Sequence, residues 1–249
     1  MPIPAGRWLR IERQFVPLLI TTLLPIVLLP STASGDPKSR WLFFALFALL
    51  ILQSLRSLPA VSPSPSSQWG EVGYQLLGGL ALASTLAFAH FGEEVSFAFK
   101  GMLLPQALFF LMSSARLIML LARVPRVNGQ VMAGAAAGYI LLGLTGGVLA
   151  TTTQAFVPNA FQIGTSTSPQ ILLDRLTYFS FITLAGIGYG DVVPNNAFGE
   201  RFAILLSVVG TLYVVLLLGL LLGRFIASEE ARFLELEEEE SKKRNLNDQ

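Results

Sequence analysis

Four stretches of this chain carry no charged side chain: Gln14 to Gly35, Val72 to Gly92, Val127 to Leu173, and Phe202 to Gly223. An apolar run of about 20 residues crosses the hydrocarbon of a bilayer as a helix, because a helix satisfies its own backbone hydrogen bonds. Only 13% of the residues are charged, about half the share of a soluble domain, so these runs are not the core of a water-soluble fold. The expectation is an all-α, multi-pass membrane protein. A net charge of +1 gives no reason to expect nucleic acid as a partner, and the absence of cysteine excludes disulfides without fixing a compartment.

Six spans fit the hydropathy. Four cover roughly 14–33, 72–91, 131–153 and 202–223, and weaker ones run from Trp41 to about Leu58 and from about Gly101 to Leu121. Each weaker span carries one arginine, Arg56 or Arg116, read as a boundary residue snorkelling to the headgroups. Arg7, Arg10 and Arg13 precede the first span and place the N-terminus in the cytoplasm. Six crossings then put Arg123, Arg126, Arg224, Lys242, Lys243 and Arg244 inside, with Lys38, Arg40 and Lys100 outside as exceptions. Trp8, Trp41 and Trp69 sit at span ends, where indole prefers the interface. The cell membrane is the expected location, with both termini cytoplasmic. A cleaved signal peptide competes for the N-terminus, but its apolar core is long and broken by Pro17 and Pro25, which favours a retained helix.

The interval between the fifth and sixth spans differs in kind. Residues 151–168 are polar and uncharged, and Ser168-Pro169 then offers an N-cap followed by a first-turn proline. "QILLDRLTYFSFITL" is apolar enough to be buried yet interrupted by Asp174 and Arg175, so it predicts a short re-entrant helix. It leads into "AGIGYGDVVP", in which Gly186, Gly188 and Gly190 alternate with Ile187 and Tyr189. Period two marks an extended strand, whereas packing glycines such as Gly134 and Gly138 recur at helical spacing. A nucleotide turn would need a third glycine further on and a strand–helix alternation that is missing. Irregular backbone at membrane depth must line water or be packed in protein.

Residues 183–191, "TLAGIGYGD", resemble the selectivity filter of potassium channels, written T-x-T-T-V-G-Y-G-D. Pro194, Gly199 and Gly210 match further family positions, and Gly210 falls where the inner helix of many members has its gating hinge. The resemblance covers about 75 residues from the pore helix to Arg224; the first four spans match only in number. It implies a homotetramer, since each chain has one filter and three identical subunits must complete the pore. It implies potassium ions coordinated by backbone carbonyls of Gly186, Ile187, Gly188, Tyr189 and Gly190, with Thr183, Tyr178 and Asp191 as supports. The C-terminal end of the pore helix near Leu184 would favour a cation on the axis. The resemblance implies passive transport without enzymatic chemistry or a cofactor, potassium being the permeant ligand.

Ala185 and Gly186 stand where the family has threonines, so the innermost ring of hydroxyls is absent. Gly186→Thr should restore it if the backbone there suits threonine, as in relatives. Phe179 has no donor for Tyr189, but Tyr178 is placed to reach Asp191. No arginine ladder follows Arg116 before Arg123, and no acid lies within 72–92 or 41–55, which argues against steep voltage gating. His90 beside Glu93 and Glu94 reads as an interfacial residue rather than a pH sensor. The chain thus divides into a four-helix region 1–126, a pore domain 127–224 and an acidic cytoplasmic tail 225–249, where Ile226, Phe233 and Leu236 suggest a short seam between copies and Glu237 to Glu240 a solvated helix end. A weakly selective cation channel and a non-conducting scaffold subunit remain as alternatives.

Overall fold

A computed structural model describes residues 5–28, 37–58, 65–91, 96–124, 127–163, 169–219, 221–227 and 237. In chain order they form α1 (Ala5–Leu28), α2 (Pro37–Ser57), α3 (Pro65–Phe91), α4 (Ser96–Ala122), α5 (Gly129–Phe156), β1 (Phe161–Gln162), α6 (Pro169–Leu184), β2 (Val193–Pro194) and α7 (Ala197–Leu212). Beyond α7 the chain continues as a π-helical turn, Tyr213–Leu218, and a helical segment at 221–227. Among the described residues, four stretches are long and apolar enough to cross a membrane: Ile11–Leu28, Leu103–Ala122, Gly129–Phe156 and Ala197–Val215; Trp41–Ser57 of α2 is shorter. Ser168, the His90 side chain with Glu93 and Glu94, and the tail residues Phe233, Leu236 and Glu238 to Glu240 lie outside the described residues, as do the side chains of Trp8 and Trp69.

The core is organised around α5. Helices α1 to α4 pack as successive neighbours, and both ends of that series, α1 and α4, close on α5. Small residues make this possible, because glycine and alanine let helix backbones approach closely where lipid removes any hydrophobic drive between helices. Gly134 receives the ring of Phe15 from α1, and Gly138 receives Tyr213 together with Leu117 of α4. Packing is therefore what these two glycines do, against different neighbours. Polar links add register: Ser114 of α4 and Thr145 of α5 share a hydrogen bond of 2.8 Å, and Gln106 donates to Thr85 at 2.8 Å.

Two expectations need correction. The fifth span, expected to end near 153, continues to Phe156, so the first residues of the polar interval, with the threonines at 151–153, lie inside α5. Their hydroxyls donate to the carbonyls of Gly147, Val148 and Leu149 one turn earlier, so they cost the helix no unpaired polar group. The second concerns Arg116, which does not snorkel. It is 8% exposed and makes an ion pair with Glu71 at 3.0 Å. It also donates to the carbonyls of Gly70 (2.7 Å) and Leu58 (3.3 Å), and its guanidinium lies 3.9 Å from the centroid of the Tyr74 ring. Five donors in a planar fork let one arginine serve two carbonyls and a carboxylate together. Arg116 thus staples α4 to the start of α3 and the end of α2. Arg56, by contrast, is exposed as expected.

Candidate functional site

The short helix α6 is seated on α5 by three glycines. Gly143 faces Phe181, Gly146 faces Ser180, and Gly147 faces Thr177, each with no room for a Cβ. The Ser180 hydroxyl donates to the Gly143 carbonyl at 2.8 Å, fixing the helix along its length. On its other side Phe179 packs against Phe161 of β1, with ring centroids 5.1 Å apart, rather than toward Tyr189.

The C-terminus of α6 winds directly into the glycine strand. Gly186 N–H donates to Thr183 O at 3.1 Å and Ile187 N–H to Ile182 O at 2.8 Å, while Gly186 has φ +71°. This pair of bonds around a left-handed glycine is the Schellman ending of a helix. Gly186 therefore closes the C-terminal end of α6, a role that a glycine just past the last apolar residue signals in sequence. Thr183 enters through its carbonyl. The backbone at 186 is not one that threonine tolerates easily, contrary to expectation: a left-handed angle costs an L-residue roughly 1–2 kcal/mol. We expect Gly186→Thr to lower the thermal stability of the protein rather than simply add a ring of hydroxyls, which unfolding in detergent would measure; an unchanged midpoint would contradict this.

Gly188 (φ +59°) and Gly190 (φ +83°) repeat the left-handed angle at alternate residues. In an ordinary strand successive carbonyls point to opposite sides. Inverting the sign of φ at every second residue brings them toward a common side, which only glycine does without strain. Residues 185–190 are all exposed, with Ile187 at 54% and Tyr189 at 70%. The three glycines have nothing within 4 Å of where a Cβ would stand.

The strand's outer end is anchored as firmly as its inner one. Tyr178 of α6 donates to Asp191 Oδ1 at 3.2 Å, and Val192 is buried in a small cluster with Phe161, Leu176 and Phe179. The pairing of Phe161 with Pro194 and of Gln162 with Val193 ties β2 to the end of α5. Asn196 caps α7, its side chain accepting from the amides of Phe198 and Gly199 at 3.1 Å each, and Gly199 leaves space for the Ala160 carbonyl. Gly210 of α7 lies against the Leu184 carbonyl, where a Cβ would not fit, so α7 touches the base of the strand there. The result is six residues of solvent-accessible backbone stretched between two fixed ends, with carbonyl oxygens as its main polar groups.

Residues 148–227, from the last third of α5 through the strand to the helical segment at 221–227, match the family model described as "Ion channel". No curated protein and no solved structure matches the chain. The match supports an ion-channel domain, carried by a multi-pass membrane protein with four membrane-length apolar helices among the described residues.

Proposed function

We propose that this protein is a passive, potassium-selective channel formed by four copies of the chain. The observation that carries the reading is the alternation of left-handed glycines at 186, 188 and 190 in a strand whose own chain leaves it uncovered. Four such strands around an axis supply stacked rings of carbonyl oxygens that replace the hydration shell of a cation, with no net side-chain charge required. Ile187 and Tyr189, large and exposed, then pack between subunits and hold the strands at their spacing. The face of α7 carrying Ile204, Leu205, Val208 and Leu212 is likewise exposed and apolar, as a helix lining a pore and meeting its neighbours would be. In this reading α1 to α5 and α7 are the six spans, α6 is the re-entrant pore helix, and both termini lie in the cytoplasm of a cell-membrane protein.

The N-terminal bundle serves as a fixed collar on α5. Phe15 and Leu18 of α1 are fully buried against it, which favours a retained first helix. Purified protein reconstituted in liposomes should pass potassium down its gradient without an energy source, and mild-detergent mass measurement should return a tetramer. Active monomers or dimers would refute the pore, and sodium flux equal to potassium flux would favour the weakly selective alternative that Ala185 and Gly186 suggest.

A further inference from the structure

Residues 185 and 186 offer no hydroxyl at the inner end of the strand, and the fold brings one to that level from a different element. On one side of α7, Leu206 meets Gly146 of α5, and Tyr213, just past the helix, fits against Gly138 of α5. Gly210, between them in sequence, meets instead the carbonyl of Leu184, where the strand begins. A rotation of about 100° per residue puts Leu206 and Tyr213 to one side of Gly210 and Thr211 to the other. Thr211 is therefore the first exposed position beyond the end of α6, level with the base of the strand, and Leu212 is turned further away.

The accessible surface of α7 divides accordingly. Glu200, the half-buried Ser207 and Thr211 share one flank, and Leu205, Val208 and Leu212 share the other. Ser207 and Thr211 are the hydroxyl side chains of α7, AFGERFAILLSVVGTL, and both stand on the flank next to the strand. That flank suits water, and the apolar one suits a neighbouring subunit.

Thr211 is prepared as an acceptor. Its hydroxyl donates to the Ser207 carbonyl one turn earlier, at 3.0 Å, a bond that a threonine facing lipid also makes. The remainder of the group is what matters here. With its proton committed to the helix, the oxygen presents only lone pairs outward. A hydrated cation presents the hydrogens of its waters, and these need acceptors.

We propose that the Thr211 hydroxyls of the four subunits hold the water shell of a cation at the inner end of the strand, in place of the threonines missing at 185 and 186. The inference rests on the tetrameric pore proposed above. Thr211 is a positioning residue in this arrangement: it holds the ion through its waters, and the carbonyls of the strand replace those waters afterwards.

Barium is the probe, a divalent cation close to potassium in size, whose more strongly polarised waters bond an acceptor more firmly. In single-channel recordings with barium on the inner side, Thr211→Val keeps the shape of the side chain and removes its oxygen. It is expected to weaken block about tenfold, the loss that charge-assisted hydrogen bonds supply. Thr211→Ser, which keeps the oxygen, should block as the unaltered protein does, and so should Leu212→Val on the apolar flank. The chain has no cysteine, so Thr211→Cys places one thiol per subunit at this level. Cadmium, which thiolates bind, is expected to block that variant from the inner side but neither the unaltered protein nor Leu212→Cys. Undiminished barium block in Thr211→Val overturns the ring, as does equal loss in Thr211→Ser or a Thr211→Cys channel indifferent to cadmium. If Thr211→Val does not conduct, the cadmium result decides alone. These results are read in protein that passes potassium, so they remove the ring and leave the pore standing, whereas unaltered protein without potassium flux removes the pore itself.

Discussion

Arg116→Ala is expected to destabilise the protein by about 3 kcal/mol, the lower part of the range for removing one partner of a buried ion pair. The lower part applies because the Glu71 side chain is 27% exposed against 10% for Arg116. The loss has three sources. Glu71 loses its ion-pair partner, the carbonyls of Gly70 and Leu58 lose a donor, and the Tyr74 ring loses the cation over its face. For a chain of this size the unfolding midpoint should fall by roughly 10 °C. Arg116→Lys should fall between, since an ammonium cannot serve two carbonyls and a carboxylate in one plane. A shift below about 2 °C for the alanine variant would show that the node adds nothing. The same geometry bears on voltage. One charge crossing the field is worth about 2.3 kcal/mol per 100 mV, but Arg116 is pinned by contacts that such a movement would have to break. Open probability should therefore depend only shallowly on voltage.

Gly188→Ala is expected to abolish conduction. At φ +59° an L-residue costs roughly 1–2 kcal/mol, so four copies in a tetramer cost about 4–8 kcal/mol. The chain has one escape, flipping the peptide to negative φ, and that turns a carbonyl of every subunit away from the axis. With the flip, one ring of ligands is lost. Gly79→Ala is the control: it is exposed on α3, has nothing within 4 Å and carries no unusual backbone angle. It should conduct normally and gain a little helix stability. Potassium flux through Gly188→Ala equal to that of the control would mean that the strand's carbonyls do not face the ions.

Legibility in the sequence followed the range of the interaction. Alternating glycines report a backbone conformation directly, and charge-free runs report a helix in lipid, so the left-handed angles at Gly186, Gly188 and Gly190 could be read in advance. The role of Gly186 was legible in part: its position past Leu184 marks a helix ending, but the resemblance drew attention to a missing hydroxyl instead. The Arg116 node was not legible. Its acid stands one residue outside the apolar run of the third span, and its other partners are backbone carbonyls, which leave no trace in side-chain pattern. Nor was the π-helical turn, since YVVLLL is as apolar in one register as in another. The two-residue pairing of β1 with β2 is too short to give a period.

The central claim is that the carbonyls of 186–190 select potassium, and a bi-ionic reversal potential tests it most directly. Purified protein in a planar bilayer, with potassium on one side and sodium at equal concentration on the other, should reverse at a potential corresponding to a preference of at least about tenfold for potassium, or roughly 1.4 kcal/mol. A current that reverses at zero potential would contradict the account.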